Sequence, residues 1–562
     1  MRVAEAVGRY LARLGVDHVF GVVGSGNFHV TNALVDAGAR FVAARHEGGA
    51  ATMADAYGRV TGRAAALSVH QGCGLTNALT GITEAAKSRT PLLVLAAEAT
   101  EPRSNFFVDQ PALARAVGAV SERVASPRTA LADAARAYQL AVGQRRTVLL
   151  NLPLSVQAAE LPADAVPADA EPAGPAGEPD GAGASVDAVA RLADLLAGAR
   201  RPVFIAGRGA RLSRAREPLR RLAELTGALL ATSAVAKGLF AGDPWSLGVS
   251  GGFASPLAAE LIADADVIVG WGCGLNMWTM RHGKLVGPHA RVAQVDVDAD
   301  ALGAHRPVDL GVRGDVRLTA RAVADELSAR AAGSASAAGG PADGGYRTAG
   351  LRERIATGAS LRDVPYQDEG DGSRIDPRTL SIRLDDLLPA QRVLAVDSGN
   401  FMGYPSAYLS VPDDDGFCFT QAYQSIGLGL ATAIGAALAA PARLPVAACG
   451  DGGFLMGVAD LETVVRLGLP MLIVVYNDAA YGAEVHHFGP DGHPLSTVTF
   501  PDTDIAAIGR GFGCDAVTVR AAEDLEAVRQ WLAGPRPRPL VVDAKVTAAR
   551  GAWWLEEAFR GH

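Results

Sequence analysis

The chain has 562 residues, enough for three or four domains at about 150 residues each, and its 49% hydrophobic and 20% charged content describes a globular rather than a disordered protein. With 52 basic against 60 acidic side chains the formal charge is −8, which runs against both a nucleic-acid surface and an anionic membrane as partner. The five cysteines are scattered without C-x-x-C spacing, so neither a disulfide framework nor a zinc site is expected, and a reducing cytoplasm is the natural compartment. The start, MRVAEAVGRYLARLGV, interleaves arginine with its apolar residues and so lacks a signal-peptide core, and no apolar run approaches the roughly 18 residues of a membrane span.

In chain order, short apolar runs at 91–98, 147–153, 202–209, 266–272, 290–298, 392–399, 445–452, 471–478 and 539–546 read as strands. They are near-continuous in Val, Ile, Leu and Ala without alternation, which predicts parallel strands covered on both faces. Ala-rich segments with helical spacing, such as 459–468, lie between them. Two stretches break this rhythm: 162–186, rich in Pro, Ala, Gly and acids, and 332–347, rich in Gly, Ser and Ala. Both read as linkers or exposed loops. The prediction is α/β, three doubly wound parallel-sheet domains at 1–165, 186–331 and 348–562. Ligands in such domains bind beyond the carboxyl ends of strands, where several motifs fall.

One of these is Gly450-Asp451-Gly452-Gly453, directly after a strand, followed by Asn477 26 positions on, at the end of the next. Adjacent strands would bring Asp451 and Asn477 to one sheet edge. A carboxylate and an amide oxygen are hard ligands suited to magnesium, and the glycines let backbone approach a diphosphate. G-D-G alone reads more readily as a tight turn, and Asn477 alone as a helix cap; their spacing reverses those odds.

The pair resembles the signature of thiamine-diphosphate enzymes. The resemblance implies that Asp451, Asn477 and the carbonyl of Ala479 bind Mg2+, which holds the cofactor's diphosphate, with Ala480 and Tyr481 in the same loop. Arg45 to Arg59 resembles the first-domain helix of the acetolactate synthase and benzoylformate decarboxylase-like members of that superfamily. There Glu47 would hydrogen-bond the cofactor's pyrimidine and favour the tautomer that deprotonates the thiazolium carbon. Alone, Glu47 reads as a surface residue favoured by a helix dipole. Gln424 to Gly435 resembles the family's Gly-rich helix start, with Ser425 beside Ile426, the apolar wedge beneath the cofactor. Asp397-Ser398-Gly399-Asn400-Phe401 resembles a second loop contacting the diphosphate.

Gly24, Ser25, His70, Gln71 and Phe106 fall where the family builds its substrate pocket. Ser25 and His70 resemble the polar pair of benzoylformate decarboxylase, and a histidine there could move a proton at neutral pH. Departures are equally clear. Gln71 and Cys73 replace the usual proline-containing loop, the Phe106 segment lacks the glutamine that contacts substrate, and Trp271 to Trp278 replaces the middle-domain pattern, which puts FAD in question. His486-His487 and Gly551 to Glu556 are expected near the site, the Trp553-Trp554 pair as core or interface packing.

The reading is therefore decarboxylation of a 2-oxo acid with transfer to a carbonyl acceptor, in a homodimer or homotetramer whose subunits share each site. The alternative within enzymes stops at aldehyde release. A noncatalytic nucleotide- or flavin-binding subunit is the alternative from another class, and it has no physical need for Glu47, Asp451 and Asn477 together.

Overall fold

The computed structural model describes residues 1–165, 182–333 and 345–555. Most of the two predicted linkers, 162–186 and 332–347, lies outside the described residues, as does Glu556.

Each third of the chain forms one six-stranded, all-parallel sheet. The first contains β1–β6 (His18–Gly21, Arg40–Ala43, Ala65–Val69, Leu92–Glu98, Val120–Arg123 and Thr147–Pro153), in the order β2-β1-β3-β4-β6-β5. The second contains β7–β12 (Pro202–Ala206, Leu229–Thr232, Ser246–Val249, Val267–Trp271, Arg291–Asp296 and Leu310–Arg313), in the order β12-β11-β10-β7-β8-β9. The third contains β13–β18 (Arg392–Val396, Phe417–Phe419, Leu444–Gly450, Leu472–Asn477, Asp515–Val519 and Leu540–Lys545), in the order β14-β13-β15-β16-β18-β17. The outer two sheets thus share one topology, while the central sheet has the order of a dinucleotide-binding fold. The nine predicted strands are all present, and β4, β6, β7, β10, β13, β16 and β18 are buried along their whole length, as runs covered on both faces must be.

The first and third domains share a core. The helix Glu47–Thr61 packs lengthwise on the helix Gly429–Ala439, and one hydrophobic cluster includes Met53, Tyr57 and Leu67 from the first domain with Leu430, Ile434 and Val475 from the third. Small residues set the spacing. A Cβ on Gly435 would lie 2.2 Å from the carbonyl oxygen of Met53, so the backbones meet where only glycine fits. A buried ionic network lies beside the crossing. Arg59 pairs with Asp55 at 2.7 Å and with Glu84 at 2.6 Å, and donates to the carbonyl of Phe419 at 2.8 Å. Among the described residues, no helix is long and apolar enough to cross a membrane.

Gly435→Ala should therefore overpack this crossing and lower stability by about 1–3 kcal/mol, read from the midpoint of chemical denaturation. Unchanged stability would mean that the two helices separate without cost.

Candidate active site

In a sheet of order 2-1-3-4-6-5 the chain reverses direction between strands 1 and 3, and the loops leaving those two strands diverge to opposite faces, opening a crevice. In the third domain these are the loops after β13 and β15, and in the first those after β1 and β3. The residues singled out in the sequence fall at both crevices.

In the third domain Asp451 opens the short helix Asp451–Met456, and Asn477 closes β16, which pairs in register with β15. Both side chains are buried. The Asn477 amide is oriented from behind: its Nδ2 donates to Asp543 Oδ1 at 2.9 Å, leaving Oδ1 for the Ala479 N–H at 3.1 Å and for the crevice. Lys545 neutralises Asp543 at 3.1 Å, so a buried charge pair holds the amide. Ala479 sits at φ 57°, a left-handed conformation uncommon for a residue with a side chain, and its carbonyl accepts from Phe500 N–H at 2.8 Å, which leaves one lone pair. Ala480 N–H donates to Asp478, and Tyr481 lies where a Cβ on Gly452 would meet its ring at 2.7 Å.

Asp478 adds a second carboxylate at Asp451. Burial raises the pKa of both, and they share a hydrogen bond. Among the described residues neither is in an ion pair. Two buried carboxyls that share a hydrogen bond, an amide oxygen and a constrained carbonyl make a donor set that could hold a divalent cation such as Mg2+ through Asp451, Asn477 and Ala479.

The opposite wall is the loop after β13. Gly399 has φ 133°, Asn400 hydrogen-bonds Asp478, and Phe401 stacks on Tyr476 with ring centroids 5.3 Å apart. Asp397 pins the Gly-rich helix start by accepting from the N–H groups of Ser398, Gly427 and Leu428 at 2.8, 3.1 and 3.2 Å. Its burial pushes the carboxyl up to about 6 despite those bonds. A Cβ on Gly453 would lie 2.3 Å from Asp397 Oδ2, whereas Gly450 packs on Phe401. Ser425 and Ile426 are half-buried in the loop that Asp397 and Glu84 hold, the Ser425 hydroxyl donating to the carbonyl of Ile426 at 3.2 Å. Glu84, from the first domain, accepts from Ala422 and Tyr423 N–H at 3.0 and 2.6 Å.

In the first domain Glu47 begins its helix, with His46 capping through Gly48 N–H. The Glu47 carboxylate accepts from Asn77 Nδ2 at 3.1 Å and lies beside Gly74 and His70. His70 accepts the Gly26 N–H at Nδ1, 3.3 Å away, which puts the proton of the neutral ring on Nε2. Burial lowers its pKa against the pull of Glu47, favouring that neutral form. Phe106 meets the ring edge-on at 5.3 Å, Gly24 packs beneath it, and Gln71 is buried with Oε1 lacking a hydrogen-bond partner. Ser25 is exposed in the preceding turn, and the group bonded to His70 is the Gly26 amide rather than the Ser25 hydroxyl.

Among the described residues of one chain, no hydrogen bond or ion pair links Glu47 or His70 to Asp451 or Asn477. Arg45 N–H donates to Asp460 at 2.9 Å and Gly49 abuts the same carboxylate, so the helix start is docked on the 457–462 turn, while the polar partners of Glu47 among the described residues all belong to the first domain. Exposed apolar side chains flank both crevices: Val23, Phe28, Phe106 and Phe107 on one, Tyr423, Leu455 and Met456 on the other.

The C-terminal segment does reach the site. Ala552 N–H donates to Asn400 Oδ1 at 3.4 Å, Gly551 packs on His486, and His486 is half-buried with Nε2 unpartnered. Trp553 and Trp554 instead join the third domain to the central one, Trp553 Nε1 donating to the Gly252 carbonyl at 2.8 Å and Trp554 packing on Phe253 and Tyr404. At the central switch point, between β7 and β10, Gly209 packs against Gly272, and burial lowers Arg208, which has no ion pair among the described residues, to about 10.

Sequence reasoning placed Asp397 in its loop without a role and missed Asp478, Asp543, Lys545 and Glu84. Asp478 was legible as an acid at a strand end, but nothing local marks Glu84, whose amide partners Ala422 and Tyr423 lie more than 300 residues away.

This geometry belongs to the thiamine pyrophosphate enzymes, and the chain is a member of that family: it matches the N-terminal TPP binding domain over 1–119, the central domain over 189–323 and the C-terminal TPP binding domain over 397–544. Among its relatives, a probable 2-ketoarginine decarboxylase of Pseudomonas aeruginosa is 32% identical, with 94% of this chain and 90% of the relative covered. A sulfoacetaldehyde acetyltransferase of Castellaniella defragrans is 29% identical, covering 93% and 89%, and an acetolactate synthase large subunit of Parasynechococcus marenigrum is 27% identical, covering 97% and 87%.

Glu84→Ala should strip Arg59 of one partner and free two amides, costing about 3–5 kcal/mol. Hydrogen exchange should quicken selectively across 419–427; protection equal to wild type would show that Glu84 does not hold the loop.

Proposed function

We propose that the protein is a thiamine-diphosphate- and magnesium-dependent enzyme that decarboxylates a 2-oxo acid and transfers the remaining acyl unit to a carbonyl acceptor. The carrying observation is that Glu47 with His70, and Asp451 with Asn477, occupy equivalent crevices of two sheets with one topology. When bound, the cofactor supplies a carbon nucleophile for the substrate carbonyl. Asp451, Asn477 and Ala479 would hold the metal, and Gly399, Asn400, Phe401, Gly450, Gly452, Gly453, Ala480 and Tyr481 would line the diphosphate. Ser425 and Ile426, pinned from both domains, would support its rings. Glu47 would hold the proton at the pyrimidine nitrogen. Ser25, Gly24, Gln71 and Phe106 would bound the substrate. FAD has no part in this reading.

Because one chain leaves apolar side chains exposed around each crevice, the reading includes a two-fold homodimer, alone or within a tetramer, in which the first domain of one subunit faces the third domain of its partner. Transfer is supported by relatives named as an acetyltransferase and a synthase. The second reading, release of an aldehyde, rests on His70: its Nε2–H is a proton donor on the substrate side.

Purified protein given thiamine diphosphate, magnesium and a panel of 2-oxo acids, with and without aldehydes, should release CO2 and form a ligated product identified by mass spectrometry. Aldehyde alone would select the second reading, and absence of CO2 release across the panel would sink both. Glu47→Gln should leave the cofactor bound but slow thiazolium-proton exchange by about two orders of magnitude or more, followed by NMR after acid quench. Mixing Glu47→Gln with Asp451→Ala under subunit exchange should restore about one quarter of wild-type activity, since each mixed dimer regains one intact site. No recovery after verified exchange would contradict shared sites.

A further inference from the structure

We infer that a second ligand site, for a small aliphatic monocarboxylate, lies between the central and third domains around Lys237 and Ser406. A cavity of about 410 Å3 opens there, a size typical of small-molecule sites, and its lining includes none of the residues described above at the two crevices. Lys237 enters it from the loop after β8. Its ammonium donates to the carbonyls of Ser406 and Leu409 and lies 5.3 Å from the Phe417 ring centroid. Those two bonds leave a third N–H unspent. Among the described residues no carboxylate pairs with it: of the two that line the cavity, Asp385 is taken by Arg362 at 2.6 Å and by Arg392, and Asp363 makes no ion pair with Lys237.

Ser406 is 1% exposed, lines the cavity, and its hydroxyl has no hydrogen-bond partner. A buried hydroxyl left unpaired costs about 1–3 kcal/mol, so an acceptor placed between Oγ and the Lys237 ammonium would recover that cost. A cation and a hydroxyl lining one cavity supply donors of the kind that the two oxygens of a carboxylate accept. Phe240, Leu247 and Phe253 supply an apolar wall for a short alkyl chain. Burial lowers the Lys237 pKa to about 7, and a bound anion would restore its charge. The helix Gly403–Tyr408 carries Ser406 and directly follows the Asn400–Met402 turn, so an occupant would rest on the element that ends the proposed diphosphate loop.

The test is calorimetry on the protein with thiamine diphosphate and magnesium present, using butyrate as probe and butanol as its uncharged counterpart. Wild type should bind butyrate and not butanol. Lys237→Met should weaken butyrate at least about tenfold, Lys237→Arg less, and Ser406→Ala several-fold. Ser406→Ala removes only an unbonded oxygen, so it decides the matter if Lys237→Met fails to fold. Failure of wild type to bind at millimolar butyrate, equal binding by Ser406→Ala, or a preference for inorganic phosphate over butyrate would each overturn the proposal.

Discussion

The helices Glu47–Thr61 and Gly429–Ala439 cross so closely that the Met53 carbonyl occupies the space where residue 435 would carry a Cβ. Much of the molecule follows from that contact. It merges the cores of the first and third domains, so domains that each carry a complete sheet are stabilised together. It also sets the direction in which Glu47 starts its helix, against the 457–462 turn of its own chain.

A second theme is the use of buried charge to hold backbone. Asp397 and Glu84 grip the 420–429 segment from opposite sides, one unpaired and one neutralised by Arg59. Asp543 does the same for the Asn477 amide, with Lys545 behind it. Each substitutes a rigid acceptor for solvent and fixes a loop that glycine alone would leave free. At the end of β15 the logic differs: Asp451 and Asp478 are two buried carboxyls that share a hydrogen bond.

The same region shows how a histidine can be held neutral. The Gly26 amide selects its tautomer and burial lowers its proton affinity, so His70 presents a donor at Nε2 while Glu47 stays close by.

Nine strands were legible because continuous Val, Ile, Leu and Ala runs survive only where both faces are covered. The other nine were not: the edge strands β2, β5, β9, β12, β14 and β17 are short and mostly partly exposed or without a clear apolar run, and β1, β3 and β8 are runs of only four or five residues. Asp451 and Asn477 were readable from their spacing, since register in a parallel sheet aligns successive strand ends. The shared topology of the outer sheets, the Glu84 clamp, the pairing of Asp451 with Asp478 and the substitution of Gly26 for Ser25 at His70 depend on groups brought together from separate loops or domains. Local sequence determines which segments must be buried and which chemistry sits at their ends. Only the tertiary structure decides which ends meet, because that choice is made by packing between elements and not within them.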